Sequence, residues 1–253
     1  MKRHRADAGL TLLEVMIAVS LLSLLMVGLL ASLRLGLNAL SKTNAHLIAN
    51  RRVIGTQRVL EEQLEGFMPV IALYSSAGGG IPTDKMPFFE GAPESMRFVS
   101  TYSLQEAARG LPRILEFQVI PGEGGKGVRL VVNENLYTGP ASAGFFCLGR
   151  GPDPLTGMDG YRFRPIEAGP GSFVLADKLQ FCRFSFLSNP LPPLPPEWMA
   201  GWTPGPPGGA QLRWPGAIRI EMGLLDPQIS RLRPMTVTAR IHINRQPMFE
   251  YVD

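Results

Sequence analysis

One carboxylate interrupts an otherwise uncharged stretch. Glu14 is the only formal charge in the 24 residues from Leu10 to Leu33. A carboxyl group in hydrocarbon costs about 2.5 to 3.5 kcal/mol even on the mildest insertion scales, so a chain that keeps one there needs a partner for it. Gly9 precedes the run, and a basic stub, Lys2-Arg3-His4-Arg5, precedes Gly9. If the chain is cut after Gly9, a new α-amino group appears on Leu10, four residues before Glu14 and at the same membrane depth. The chemistry these residue types support is ion pairing and positioning.

The element that must carry Glu14 is a membrane-spanning helix. A basic stub followed by apolar residues is also the pattern of a secretory signal peptide or signal anchor. Three details argue against a signal peptide. Val15 to Leu33 is 19 residues, longer than the usual apolar region. Leu30-Ala31-Ser32 is a poor cleavage site, and no cysteine follows to make a lipoprotein. At about 1.5 Å per residue the run reaches about 28 Å, close to the roughly 30 Å hydrocarbon thickness. The stub is expected on the cytoplasmic side, with Arg34 and Lys42 beginning the far side.

Gly9-Leu10-Thr11-Leu12-Leu13-Glu14-Val15-Met16-Ile17-Ala18 resembles the G-F-T-L-x-E processing motif of type IV pilins and of type II secretion pseudopilins. The resemblance implies cleavage by a prepilin peptidase between Gly9 and Leu10, then N-methylation of Leu10. It also implies an assembly role for Glu14, which binds the Leu10 amine of a neighbouring subunit and sets helix register in a filament. Glycine before the cut lets the chain approach the protease closely. Leu10 departs from the usual phenylalanine. The fold implied is the pilin-like α+β arrangement, a long N-terminal α-helix packed on an antiparallel β-sheet.

Beyond Leu33, apolar residues Leu37, Leu40, Leu47, Val53, Ile54, Leu60, Leu64 and Phe67 recur at steps of three, four or seven, a helical stripe. Arg51, Arg52, Arg58, Glu61, Glu62 and Glu65 occupy the other faces, and Gly66 with Pro69 ends the helix. Gly28 and Gly36 read either as points of bending or as small residues at helix contacts. Strands are predicted at 96–102, 113–120, 128–133, 173–176, 179–187, 217–225 and 235–243, each rich in Val, Ile or Phe and bounded by Gly or Pro. Pro121 to Gly127 reads as a hairpin turn. It has glycines but neither the G-x-x-x-x-G-K-[ST] pattern nor a following helix, so it is not a phosphate loop. The expected organisation is a cleaved leader 1–9, a transmembrane and filament-core helix 10–33, its amphipathic continuation 34–67, and a periplasmic β-rich domain 70–253.

Residues 189–209 hold eight of the 23 prolines together with Trp198 and Trp202. Proline excludes a central strand, so this is a loop of polyproline character. Its tryptophans read either as anchors on the sheet or as an interface with a neighbouring subunit. The order of Leu179 to Phe186, the tryptophan loop, Trp214 to Met222 and a C-terminal strand is similar to the J class of minor pseudopilins of the general secretion pathway. Glu14 argues against the K class, which typically lacks that acid. The partners this resemblance implies are the prepilin peptidase, other minor and major pseudopilins including I- and K-like ones, and an inner-membrane assembly platform. A W-like minor pilin of type IV pili is the alternative within the superfamily. The location implied is the bacterial inner membrane, single-pass, with the C-terminal domain periplasmic and the chain moving into a pseudopilus on assembly.

Composition leaves little room for other chemistry. The formal charge is +4, and removing Lys2, Arg3, Arg5 and Asp7 leaves +2, so no nucleic-acid partner is expected. In an oxidising compartment Cys147 and Cys182 are a candidate disulfide, worth about 3 to 4 kcal/mol; Cys182 reads equally well as a small core residue. His46 and His242 are the only histidines beyond the leader, which argues against zinc and triad sites, and no cofactor is expected. Asp153 to Asp159 offers only two acids, too few for a calcium loop. The second function class, a membrane-anchored periplasmic enzyme using carboxylates or hydroxyls, finds no nucleophile elbow, HExxH or paired-acid motif.

Overall fold

In the computed structural model α1 runs from Leu12 to Glu65, 54 residues. The structure describes residues 12–75, 82–152, 159–188, 195–202, 204, 214–225 and 234–241, without the side chains of 38–39, 41–54 and 159. The chain forms two compact units, Met1–Ala49 and Asn50–Asp253, so the last turns of α1 belong with the β domain rather than with the apolar helix.

Thirteen strands follow among the described residues: β1 (Phe67–Met68), β2 (Ile71–Tyr74), β3 (Asp84–Pro87), β4 (Glu90–Gly91), β5 (Ser95–Ser103), β6 (Ala108–Pro121), β7 (Val128–Leu136), β8 (Cys147–Pro152), β9 (Asp159–Phe163), β10 (Phe173–Ser188), β11 (Glu197–Met199), β12 (Ala217–Leu224) and β13 (Met235–Arg240). A short helix, α2 (Pro140–Gly144), precedes β8. The main sheet has the order β1-β5-β6-β7-β10-β12-β13, with β4 beside β5 and β11 beside β10. Its pairings are all antiparallel, so the long helix followed by an antiparallel sheet is the expected α+β arrangement.

Side-chain alternation gives the sheet two buried faces. On one, Met96, Phe98, Leu115, Phe117, Cys182, Phe184, Ile218 and Ile220 pack under Leu60 and Leu64 of α1. Phe98 and Phe117 stack with centroids 5.7 Å apart. Burying each such side chain stabilises by about 1.5 to 3 kcal/mol. The end of α1 is tied to the sheet by hydrogen bonds as well: Thr56 Oγ1 donates to the Leu175 carbonyl at 2.7 Å, and Ser100 Oγ donates to the Gln63 carbonyl at 2.8 Å. Of the stripe expected to pack from Leu37 onward, the last turns pack on the sheet. Leu60 and Leu64 are buried, whereas Leu37 and Leu40 are exposed; the side chains of Leu47, Val53 and Ile54 lie outside the described residues.

Gly66 makes the join between α1 and the sheet. Its N–H donates to the Glu62 carbonyl at 3.0 Å, closing the helix, while its own carbonyl accepts from Thr101 N–H at 2.8 Å. A Cβ here would lie 2.5 Å from Ser100 Oγ and 3.1 Å from the Tyr102 nitrogen. Gly66→Ala is therefore expected to displace Ser100 and cost about 1 to 3 kcal/mol, read as a lower denaturation midpoint with an unchanged denaturant slope.

The other face carries a second layer that short-range sequence pattern does not announce. The β2-β3 and β8-β9 hairpins and α2 bury Ala72, Tyr74, Met86, Phe88 and Cys147 against Val99 and Ile114. Arg97 pins this layer to the sheet. It is fully buried; its Nη1 donates to Glu90 Oε2 at 2.6 Å, its Nε to Glu116 Oε1 at 2.8 Å and its Nη2 to the Arg164 carbonyl at 2.7 Å. The guanidinium lies 5.2 Å from the Phe146 ring and 5.6 Å from the Phe163 ring, close enough for cation–π attraction.

The predicted strands fall inside β5, β6, β7, β10 and β12, and the described part of the last is β13 (Met235–Arg240). The 121–127 turn does join β6 to β7, with Gly124, Gly125 and Gly127 at φ of 65, 71 and 66°. The two strands predicted at 173–176 and 179–187 are one continuous strand, β10. Register shifts between Ala176 and Leu179, with Lys178 at φ 55°, mark the place where the hydrophobic pattern breaks. That bulge lets β10 pair first with β7 and then with β12.

Candidate processing and assembly site

Leucine, methionine and alanine dominate the start of α1 and favour helix strongly. The stretch Leu12–Leu37, 26 residues, is long and apolar enough to cross a membrane, and none of it is buried. Leu12, Leu13, Leu24 and Leu25 are each more than 60% exposed, so this surface is complete only in lipid or against other helices. Ser20 Oγ donates to the Ile17 carbonyl at 2.9 Å and Ser23 Oγ to the Val19 carbonyl at 2.8 Å. Both hydroxyls are thereby satisfied within the helix, as hydrocarbon requires. Neither Gly28 nor Gly36 has anything within 4 Å of the Cβ it lacks. Both are open positions where another helix can approach closely.

Glu14 sits in the first turn of α1, on the helix surface. An anion there is favoured by the unpaired N–H groups and the positive end of the helix dipole, by about 0.3 to 1 kcal/mol. That is well below the cost of a carboxylate in hydrocarbon, so the dipole alone does not settle Glu14. Gly9 and Leu10 lie outside the described residues, as do His46's side chain, His242 and most of the acidic stretch 153–159. Among the described residues no group of three or more His, Cys, Asp or Glu could hold a metal ion.

Two further candidates are corrected. Cys147 and Cys182 are free thiols that pack in different cores on opposite faces of the main sheet, so the candidate disulfide does not form. Burial pushes both thiols up to about 12, which leaves almost no thiolate to react. Intact mass after alkylation of the native chain is expected to show neither cysteine modified, with both modified after denaturation; a cross-link between them that only reduction opens, or rapid native labelling, would contradict this. Trp202 is also withdrawn as an interface residue. It is 3% exposed in the core, and its backbone exchanges hydrogen bonds of 2.8 and 3.2 Å with Gly91. Trp198, in β11 beside β10, keeps a partly exposed ring. The described part of the proline-rich loop is thus anchored on the sheet at both tryptophans.

Sequence reading missed Arg97, Glu90 and Glu116. The signal was present: Arg97 interrupts Met96-Arg97-Phe98-Val99, Glu116 interrupts Leu115-Glu116-Phe117, and the two are register partners in β5 and β6. Opposite charges set inside two paired apolar strands mark a buried pair.

The family described as "Prokaryotic N-terminal methylation motif" matches residues 4–30. No curated protein is matched by the chain. The motif covers His4 and Arg5 at the end of the basic stub, Gly9, Glu14 and most of the apolar run. Together with the long apolar helix and the antiparallel domain it indicates a pilin-like precursor of the kind that a prepilin peptidase processes and that assembles with other pilins. Proteins with this motif are generally non-enzymatic, and the apolar helix near the N-terminus is consistent with a single-pass membrane anchor.

Proposed function

We propose that the chain is a minor pseudopilin of a type II protein secretion system, of the J-like class, built into the tip of a periplasmic pseudopilus. The observation that carries the reading is the prepilin-type motif joined to a single acid, Glu14, on a helix whose apolar surface is unburied among the described residues. The leader 1–9 stays cytoplasmic and is removed between Gly9 and Leu10. Methylation then leaves the Leu10 amine cationic.

Glu14 pairs with the Leu10 amine of the next subunit. In a medium of low dielectric a carboxylate and an amine attract strongly, and a subunit docked out of register would leave both charges buried and unpaired, at about 3 to 5 kcal/mol. The ion pair therefore selects register, while the leucines supply contact area. Residues 10–33 serve as membrane anchor and then as filament core; 34–67 lead to the periplasmic domain, 70–253, which meets I- and K-like partners.

The W-like minor pilin reading predicts a different phenotype. If the proposal holds, a strain lacking this chain loses secretion of its exported proteins and keeps its surface pili, and tagged full-length chain co-isolates with I- and K-like subunits from detergent-solubilised membranes. Loss of piliation with secretion intact would favour the W-like reading. Hydrolytic activity in the purified chain, lost on substitution of an exposed carboxylate, would favour the enzyme.

A further inference from the structure

Among the described residues the second layer covers only the β5-β6 half of the sheet. Over β10, β12 and β13 the face turned away from α1 is mostly polar, with Phe181, Leu187 and Ala217 at its margins. Cys182, Phe184 and Phe186, Ile218, Ile220 and Met222, and Val237 and Ala239 all point into the core under α1. The polar ones among their alternates, Arg183 and Ser185, Arg219 and Glu221, Thr236, Thr238 and Arg240, lie on the opposite face.

Register sets these charges in a pattern. Arg183 is opposite Glu221, which is opposite Thr236; Ser185 is opposite Arg219, which is opposite Thr238; Ala217 is opposite Arg240. Each arginine is thus one strand and two residues from the next. With strands about 4.8 Å apart and about 3.4 Å per residue, Arg183, Arg219 and Arg240 form a diagonal with steps of about 8 Å. Among the described residues none of the three is in an ion pair. Two are held by rings instead. The Arg219 guanidinium stacks 3.7 Å from the centroid of Trp198, and that of Arg183 lies 5.8 Å from Phe181. Phe181 is itself laid across Gly223, where a Cβ would come within 2.4 Å of its ring. A stacked guanidinium is oriented in advance and leaves its N–H edges free for a bidentate carboxylate.

We propose that this face docks the acidic surface of a neighbouring pilin-like subunit, with carboxylates on the arginine diagonal and a cation opposite Glu221. The proposal rests on the assembly reading above and adds the surface that reading leaves unassigned. Two features favour a protein over a nucleic acid. Glu221 sits within the patch and would repel a continuous phosphate backbone, whereas a mosaic of one acid among three bases is matched readily by a protein face. The nearby rings already carry a neighbour each, Trp198 the Arg219 guanidinium and Phe181 the Gly223 backbone, which leaves less ring surface for stacking a base.

Thr238 is exposed on the edge strand β13, directly opposite Arg219 of the diagonal, and reports on the face directly. The full-length chain, carrying a photo-crosslinking residue at position 238, is produced in its own host in place of the wild type and irradiated in intact cells. The expected product is one adduct, with another pilin-like subunit, whose cross-linked peptide contains Asp or Glu. Charge reversal of Arg183, Arg219 and Arg240 to Glu is expected to lower its yield by about ten-fold or more, and reversal of the contacted carboxylates on the partner to restore it. Should the triple variant lose native protease resistance, Arg240→Glu alone, on the edge strand, replaces it. A nuclease-sensitive adduct, an adduct indifferent to charge reversal, or no adduct from a processed and assembled chain would overturn the docking proposal alone. A chain that is never processed and gives no adduct would overturn the assembly reading with it.

Discussion

The Glu14→Ala chain is expected to be cut after Gly9 at the wild-type rate and to enter filaments about a hundred- to a few thousand-fold less, since leaving one buried charge unpaired costs about 3 to 5 kcal/mol and each 1.4 kcal/mol is ten-fold. The separation of the two effects follows from position. Glu14 is in the first turn of α1, several residues past the proposed cut, so the peptidase still meets the basic stub and Gly9. What the variant lacks is the counter-ion for the Leu10 amine of the next subunit. Glu14→Gln is expected to behave like Glu14→Ala, because an amide keeps shape and hydrogen bonds but not charge. Cell fractionation checks both steps: mature chain accumulating in the inner membrane and missing from sheared or over-expressed filaments is the expected result. Full incorporation of Glu14→Ala would remove the role assigned to this acid.

Arg97→Met is the largest stability effect expected in the β domain. Arg97 is fully buried, and its removal leaves Glu90 and Glu116 facing each other with their guanidinium gone. Breaking a buried pair in this way costs about 3 to 5 kcal/mol, a large part of what a domain has. Packing and charge are separable. The triple change Arg97→Met, Glu90→Gln, Glu116→Gln is expected to recover most of the loss if the penalty is electrostatic and little of it if the penalty is lost packing.

The same cluster gives a pH dependence. Burial pushes the Glu90 carboxyl up from 4.5 to about 7; Arg97 pulls it down without overcoming burial, and Glu116 adds to the rise. A carboxyl whose folded pKa lies above its unfolded one binds its proton more tightly when folded. Its stabilising contribution is therefore complete below about 4.5 and is lost as the pH rises through about 7. Chemical denaturation of the wild type is expected to show stability falling between pH 5 and pH 8 relative to Glu90→Gln, which has no proton to lose.

The helix and most of the main sheet were legible because they follow simple periods. Leu10 to Leu33 is apolar in every direction, and Phe98, Leu115, Phe117, Leu130 and Val132 belong to runs that alternate or stay apolar through a strand. The second layer was not legible. β2, β3, β8 and β9 are four to six residues long, all but β2 contain Pro or Gly, and they are held by contacts made far along the chain, such as Arg97 with the Arg164 carbonyl. For Trp202 and Cys147 the sequence leaves two readings open for the same reason: their burial depends on Gly91 and on α2, which local pattern does not reveal. The arginine diagonal is similarly hidden, because Arg183, Arg219 and Arg240 are scattered in sequence and only the antiparallel register aligns them. At the processing site the situation is reversed. Gly9, Leu10 and Glu14 are read from sequence spacing, and the structure adds the helix that exposes Glu14 among uncovered leucines.

The most direct test of the central claim is the intact mass of the full-length chain extracted from host membranes. The expected mass lacks residues 1–9 and carries one added methyl group, with Leu10 as the N-terminal residue in tandem fragmentation. A chain that begins at Met1, or one cut near Ser32, would contradict it.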